Sequence, residues 1–298
     1  YRAIAGVHPI APGTMPITEI CMRQLTHVPP SLASLGLKGV SGHLSAIVDR
    51  ALSKDPAQRG SMEDLADDLA KELRLLDTEV GLVAFLYSSV GHAGASGYIA
   101  VMTLFGIGAG TIRPTALLLN ILVATIGSLQ FWRAGHFRWR LFWPFALFSV
   151  PAAYLGGYLQ LPVTLLRILI GVVLLFSALR LFFRRGDPPE VKSPAPVAAI
   201  SLGGIIGLLS GLTGTGGGIF LTPALLFFRW ARIREAAAVS AVFILVNSIA
   251  GLVGYFTANR FLPFLGLILA GAAVIGGALG SHFGGRRFPP RTISLVLA

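Results

Sequence analysis

Val197-Ala-Ala-Ile-Ser-Leu-Gly-Gly-Ile-Ile-Gly-Leu-Leu-Ser-Gly-Leu-Thr-Gly-Thr-Gly-Gly-Gly-Ile-Phe-Leu-Thr-Pro-Ala-Leu-Leu-Phe-Phe228 runs for 32 residues without a charge. A helix crosses the hydrocarbon core of a bilayer with about 20 residues, so the stretch is long enough to enter a membrane and carry an interruption as well. The interruption lies within it, where Gly211-Leu-Thr-Gly-Thr-Gly-Gly-Gly218 places five glycines in eight residues. Glycine in a helix interior costs about 1 kcal/mol relative to alanine, and the cluster therefore predicts a break between two shorter helices. A break frees N–H and C=O groups that lipid does not satisfy. It must be buried in protein or line a wet cavity.

Other apolar runs occupy residues 80–110, 114–132, 139–159, 162–183, 236–257 and 261–283, and an eighth begins near Pro290. They are continuous rather than alternating, which predicts helices and not a barrel. Trp132, Trp139, Trp143 and Trp230 stand near run ends, where interfacial aromatics collect. Gly203-Gly204-x-x-Gly207 and Gly276-Gly277-x-x-Gly280 predict close helix crossings. The expected fold class is all-α: a polytopic α-helical membrane protein with interrupted helices and two sequence-related halves, preceded by a small soluble helical segment.

Charge follows the same division. Residues 1–79 hold eight Lys/Arg and ten Asp/Glu, whereas residues 80–298 hold sixteen basic residues and three acidic ones, Asp187, Glu190 and Glu235. A soluble domain of that length carries about a quarter charged residues of both signs. The net charge of +11 comes from arginines gathered between apolar runs, not from a basic stripe, so no nucleic-acid partner is expected. The lipid bilayer is the expected partner, and the oligomeric state is not readable. Cys21, the single cysteine, excludes an intrachain disulfide and a cysteine-based metal site. No cofactor is expected.

The apolar part repeats. Gly91-His-Ala-Gly-Ala-Ser-Gly97 near the start of the first half matches Gly211–Gly218 in the second. Ile121-Leu-Val-Ala-Thr-Ile126 matches Ile244-Leu-Val-Asn-Ser-Ile249, and Pro162-Val-Thr164 matches Pro290-Arg-Thr292. The expected organisation is a soluble segment 1–79, a membrane repeat 80–185, a linker 186–196 and a second repeat 197–298 whose last helix is incomplete. The chain starts Tyr-Arg-Ala and stops inside an apolar run, so both ends are expected to continue beyond it.

Paired interruptions at matching positions of two halves point to a transporter's substrate site. Half-helix N-termini there offer N–H donors and the positive end of a dipole to an anion. The candidate substrate-binding residues are Gly91, His92, Gly94, Ser96 and Gly97 in the first cluster and Gly211, Thr213, Gly214, Thr215, Gly216 and Gly217 in the second. Asn120, Asn247 and Ser248 join them from the runs that follow. The alternative is that the glycines serve only close helix crossing and that the asparagines only tie helices together. His92 is either a satisfied structural imidazole or a proton-coupling group. Asn247 matches Ala124 in the other half, so a site drawn from both is asymmetric. No Lys-Ser/Thr follows either cluster, which excludes a Walker-type phosphate loop. Arg167, in mid-run, is expected to snorkel to the interface.

Gly211-Leu-Thr-Gly-Thr-Gly-Gly-Gly-Ile-Phe-Leu-Thr-Pro223, with Ser240 and Asn247-Ser248 downstream, resembles the second-repeat signature of the sulfite exporter TauE/SafE family. Gly91-His-Ala-Gly-Ala-Ser-Gly-Tyr98, with Arg113-Pro-Thr115 and Asn120, resembles the first. The resemblance covers about residues 80–298. It implies a permease for a small anionic substrate such as sulfite, thiosulfate, a sulfonate or a related organosulfur acid, in a bacterial inner membrane.

Residues 1–79 read differently. Leu44, Ile47, Val48, Ala51 and Leu52 make one face of a helix ending before Asp55-Pro56. Ser61-x-x-Asp64 is a capping box opening a second helix with a stripe of Leu65, Leu69, Leu73 and Leu76. Tyr1–Pro9, the Met22…Pro29-Pro-Ser-Leu32 stretch and Arg50-Ala-Leu-Ser-Lys-Asp-Pro-Ala-Gln-Arg59 resemble the end of the C-terminal lobe of a bacterial Ser/Thr protein kinase. The resemblance implies that Arg59 pairs with a glutamate after an activation segment. No Gly-rich ATP loop, His-Arg-Asp or Asp-Phe-Gly occurs in the chain, so no catalytic residue is expected within it. Two functions follow: a permease fused to a kinase-like region, or a receptor-like kinase whose bundle is a sensor or anchor. With residues 1–79 cytoplasmic and run 80–110 crossing once, the loops at Arg133–Arg140 and Arg184–Lys192 fall inside, as the positive-inside rule asks. Strict alternation then leaves Arg229–Arg234 and Arg286–Arg291 outside. A run 197–228 that re-enters and leaves on one side would give halves of opposite topology.

Overall fold

The computed structural model describes residues 30–31, 34, 42–53, 55–59, 61–105, 107, 109–159, 191–258 and 264–286. The kinase-like stretches before Pro30, the run 162–183 with Arg167, the Arg184–Glu190 stretch, the third pair of repeat landmarks and the eighth segment lie outside the described residues. Within them the fold is all-α, and no strand occurs. The helices are α1 (Gly42–Ala51), α2 (Pro56–Arg59), α3 (Met62–Ser89), α4 (Ala95–Leu104), α5 (Ala109–Arg133), α6 (Trp139–Tyr158), α7 (Pro196–Thr213), α8 (Gly218–Phe227), α9 (Ile233–Ala258), α10 (Phe264–Ile268) and α11 (Ala270–Arg286).

Two compact units divide the chain: residues 1–76 with 101–109, and residues 77–100 with 110–298. In the first, α1 buries Ile47 and Ser45. Asp49 accepts hydrogen bonds from Ser31 Oγ at 2.6 Å and Ser45 Oγ at 3.1 Å. The capping box forms as its spacing requires. Asp64 N–H donates to Ser61 Oγ (3.0 Å), while Ser61 N–H and Oγ both donate to Asp64 Oδ2 (2.8 Å each). From this cap α3 runs unbroken past residue 79, so no helix end marks the expected soluble boundary. Of the anticipated leucine stripe, Leu76 is buried but Leu69 and Leu73 are exposed. Arg50 of α1 pairs with Asp68 of this helix.

The second unit is polytopic. Residues 110–133 of α5, together with α7 and α9, are each long and apolar enough to cross a membrane, and α4 and α8 are shorter apolar helices. Glycines set the helix registers. A Cβ on Gly203, Gly207 or Gly211 would strike the carbonyl oxygen of Phe145, Ser149 or Ala153 respectively. Both series ascend by four, so α6 and α7 run parallel at van der Waals contact of their backbones. The same relation recurs between α11 and α3, where Gly276, Gly280 and Gly284 meet the carbonyls of Gly81, Phe85 and Ser89. Ser149 bonds Asn247 midway along the α6–α9 pair and Tyr154 bonds Thr257 nearer the C-terminal ends of both, so α9 is parallel to α6. Gly127 faces Ser281 and Gln130 donates to Ala278 O, which sets α5 beside α11.

The glycine clusters turn the chain back. Lys192 N–H, ahead of α7, donates to Arg229 O, after α8, at 2.8 Å, so α7 and α8 form a hairpin whose two ends meet on one face. At the other break, Gly97 of α4 packs against Val83 and Tyr87 of α3. This is a second hairpin. Run 80–110, expected to cross once, therefore folds back on itself. Each half of the unit then reads hairpin, long helix, further helix (α3/α4, α5, α6; then α7/α8, α9, α10–α11), and the two sets point in opposite directions. Trp132, Trp139 and Trp143 are about half exposed where α5 meets α6; Trp139 meets Trp132, Phe137 and Phe142 edge-on and stacks on Trp143.

Candidate functional site

Both hairpin tips are buried against α9, the second at its middle and the first in its opening turns. In the second, Gly214, Gly216 and Gly217 take φ of 79°, 72° and 84°, a region that costs other residues dearly and lets the chain reverse within four residues. In the first, Gly91 (78°) and Gly94 (105°) do the same. Close packing enforces the choice. A Cβ on Gly216 would lie 2.7 Å from Ile244 Cγ2 and 2.9 Å from both Asn120 Nδ2 and Ser248 Oγ. A Cβ on Gly91 would run into the backbone of Ala237.

Each tip starts a helix. Gly218 and Ile219 open α8, and Ala95, Ser96 and Gly97 open α4; their N–H groups find no backbone acceptor among the described residues. Orphan N–H groups of this kind, on the positive end of a helix dipole, favour an anion or a polar oxygen. Gly218 itself lies beside His92: a Cβ there would sit 3.4 Å from the imidazole Cδ2. The two tips thus come together in space, although some 120 residues separate them in sequence.

Around them is a polar set inside an apolar shell. Asn120 Nδ2 donates to Ser248 Oγ (3.4 Å), and Ser149 Oγ donates to Asn247 Oδ1 (2.8 Å). Each asparagine uses one half of its amide; Asn120 Oδ1, Asn247 Nδ2 and Ser210 Oγ are buried without a hydrogen-bond partner. Burial of an unpaired polar atom costs about 1–3 kcal/mol, a penalty expected where a ligand or water supplies the missing partner. Thr213 and Thr215 bond each other at 2.8 Å, and Thr213 Oγ1 donates to Leu209 O as well. Those two hydroxyls are engaged locally.

The candidates therefore separate. Gly91, His92, Gly94, Gly214, Gly216 and Gly217 form the tips, with Asn120, Asn247 and Ser248 against or near the second. Gly211 belongs to the α6–α7 crossing and Gly97 packs against α3, while Ser96 lies in the first turn of α4. Sequence reasoning missed Thr222, Ser149 and Ser210, whose signal was only a hydroxyl in an apolar run. It also left Arg113 without a role. The Arg113 guanidinium donates to Gly156 O, Gly157 O, Leu159 O and Gly211 O, the last turns of α6 and α7, and sits 5.7 Å from the Tyr255 ring centroid. It is a cation on two helix C-termini, where the dipoles favour one. Among the described residues, no group of His, Cys, Asp and Glu is placed to hold a metal.

Comparison with known proteins bears on the same region. The family model for sulfite exporter TauE/SafE matches residues 80–298. The chain is 39% identical over 224 residues to the "Probable membrane transporter protein y4hK" of Sinorhizobium fredii, covering 70% of this chain and 91% of that protein. It is 26% identical over 195 residues to a probable membrane transporter protein of Methanocaldococcus jannaschii, covering 60% and 71%. The "Probable membrane transporter protein YdhB" of Bacillus subtilis is 25% identical over 214 residues, covering 69% and 86%. No solved structure matches.

Proposed function

We propose that this chain, which belongs to the sulfite exporter TauE/SafE family of membrane transporters, is a permease for small oxyanions, with sulfite, thiosulfate and sulfonates as its substrate class. The observation that carries the reading is the pair of buried hairpin tips, each presenting a helix N-terminus, brought together beside α9 with no carboxylate among them. Neutral N–H and amide donors suit an anion that has to leave again; Arg113 meets Gly214 with its stem and backbone, while its guanidinium is committed to carbonyls of α6 and α7. The repeats at 80–185 and 197–298 supply one tip each.

The kinase-like reading of residues 1–76 rests on the sequence resemblance of Arg50–Arg59, which runs from the end of α1 to the end of α2. In this reading the segment is an appendage of the permease. A receptor whose bundle only senses needs one binding site and no path, so two intact tips favour transport. Reconstitution of the full chain in proteoliposomes, with ³⁵S-labelled sulfite, thiosulfate and methanesulfonate, tests this. Saturable flux of at least one is expected; binding without flux would favour the sensor.

A further inference from the structure

We propose that His92 is a proton-binding site through which anion passage is coupled to proton movement. The inference rests on the permease reading and assigns its coupling ion.

His92 occupies the first tip, yet its bonds lie in the other half of the molecule. Its Nε2 is 2.9 Å from Thr222 Oγ1 on α8, and Thr222 Oγ1 donates to Ser240 Oγ on α9 at 2.7 Å. Because the threonine proton is committed to Ser240, the threonine oxygen accepts from His92. The imidazole therefore carries its proton on Nε2 and leaves Nδ1 as the basic nitrogen. His92, Thr222 and Ser240 are all buried, and the chain they form links the first tip to the helix that starts at the second.

Among the described residues, none gives the ring a fixed charge partner. Tyr87 of α3 lies with its ring centroid 6.5 Å away, and Tyr98 of α4 donates its hydroxyl to Ala93 O. Facing residues on α8 and α9 are Gly218, Thr222 and Ser240. The nearest charges on α9 are in its first turn: Arg234, and Glu235, which bonds Arg138. A proton on Nδ1 thus creates an isolated cation beside the α8 N-terminus, and the group best placed to offset it is the transported anion. Proton and anion stabilise each other in the site and are released together. One proton binds a nitrogen lone pair and later leaves it; no other bond changes.

Two probes of fixed charge between about pH 5 and 8, thiosulfate and methanesulfonate, keep substrate protonation out of the test. Wild-type proteoliposomes with a trapped pH dye are expected to move protons with either anion, and accumulation should respond about tenfold per unit of imposed gradient at one-to-one coupling. His92→Gln keeps an N–H donor for Thr222 but does not titrate. It is expected to fold, to carry less of either anion because the stabilising proton is gone, and to show neither proton movement nor a response to pH in the flux that remains. A purely structural histidine predicts that His92→Gln retains the wild-type response, which would overturn the proposal. Should neither anion move, the permease reading fails, and ¹⁵N-histidine NMR of the full chain in nanodiscs decides the proton site separately. The His92 signals, assigned by their loss in His92→Gln, are expected to show Nδ1 protonation favoured when either anion is added. An imidazole that stays neutral with and without anion across that range overturns the proposal.

Discussion

Asn120 and Asn247 were legible as polar residues in apolar runs; their serine partners, 128 and 98 residues away, were not. Arg113 shows the same limit more sharply. Its partners are backbone carbonyls, which every residue has, so nothing in sequence marks them. Arg113→Lys keeps the charge but reaches fewer of the four carbonyls, and each charged hydrogen bond lost is worth about 1.5–3 kcal/mol. Thermal unfolding in detergent should show a clear drop; an unchanged midpoint would mean the clamp is idle. The α3 cap was readable because a capping box is local. Ser61→Ala is expected to cost about 0.5–2 kcal/mol of local stability, seen as faster amide exchange in the first turn of α3. That turn should also be acid-sensitive. The Ser61 backbone N–H and then its hydroxyl hold the Asp64 carboxyl below its ordinary value, and the Arg50 hydrogen bond does so for Asp68. A depressed carboxylate contributes fully above its unfolded value of about 3.9 and loses that contribution as pH falls through the lower folded value. Exchange protection should therefore be flat above about pH 5 and fall in acid, and Asp64→Asn should flatten the Asp64 part of that fall.

Among the elements, position was easier to read than direction. The apolar runs among the described residues matched helices because length and continuity report burial in lipid, and the breaks appeared because clustered glycine destabilises a helix. Whether the chain continues through a break or returns depends on what the second half-helix packs against. For α4 that is Val83 and Tyr87, contacts with no sequence signature. Glycine stripes likewise announced close crossings without naming partners. They now make a prediction of two kinds. Gly207→Leu and Gly280→Leu would drive a side chain into a facing backbone, with Ser149 and Phe85 respectively. Overpacking costs about 1–3 kcal/mol and more where backbone must move. Both variants should lower folded yield, as judged by size-exclusion chromatography. Equal monodisperse yield would show that the crossings tolerate separation.

For the whole molecule, opposite orientation of the two halves reorganises the charges. In the second unit Arg133, Arg138, Arg140, Lys192, Arg229, Arg232, Arg234 and Arg286 all lie at the face where α5, α8 and α11 end. Arg113, toward the other face, is folded onto carbonyls. The positive-inside rule predicts that this basic face is the cytoplasmic one, with Asp77 of α3 at the opposite face. The expectation that residues 1–79 are cytoplasmic assumed a single crossing by residues 80–110, a premise that the hairpin at Gly91–Gly97 removes. In a Cys21→Ser background, an impermeant maleimide should label Asp77→Cys in intact cells and Gly135→Cys only after permeabilisation. Labelling of both from the same side would contradict the hairpin arrangement.

The central claim is that the two hairpin tips form the transport path rather than merely a tight joint. Anion flux per folded molecule through Gly217→Leu tests it most directly, because a leucine there meets Phe243, Ile206 and Ser210 at the tip and misplaces the N–H donors of α8. Thr215→Ala is the control, removing one hydroxyl that is already bonded to Thr213. The account predicts that thiosulfate flux, normalised to monodisperse protein, is abolished in Gly217→Leu and falls by less than about tenfold in Thr215→Ala, the equivalent of roughly 1.4 kcal/mol. Wild-type flux per molecule through Gly217→Leu would contradict it.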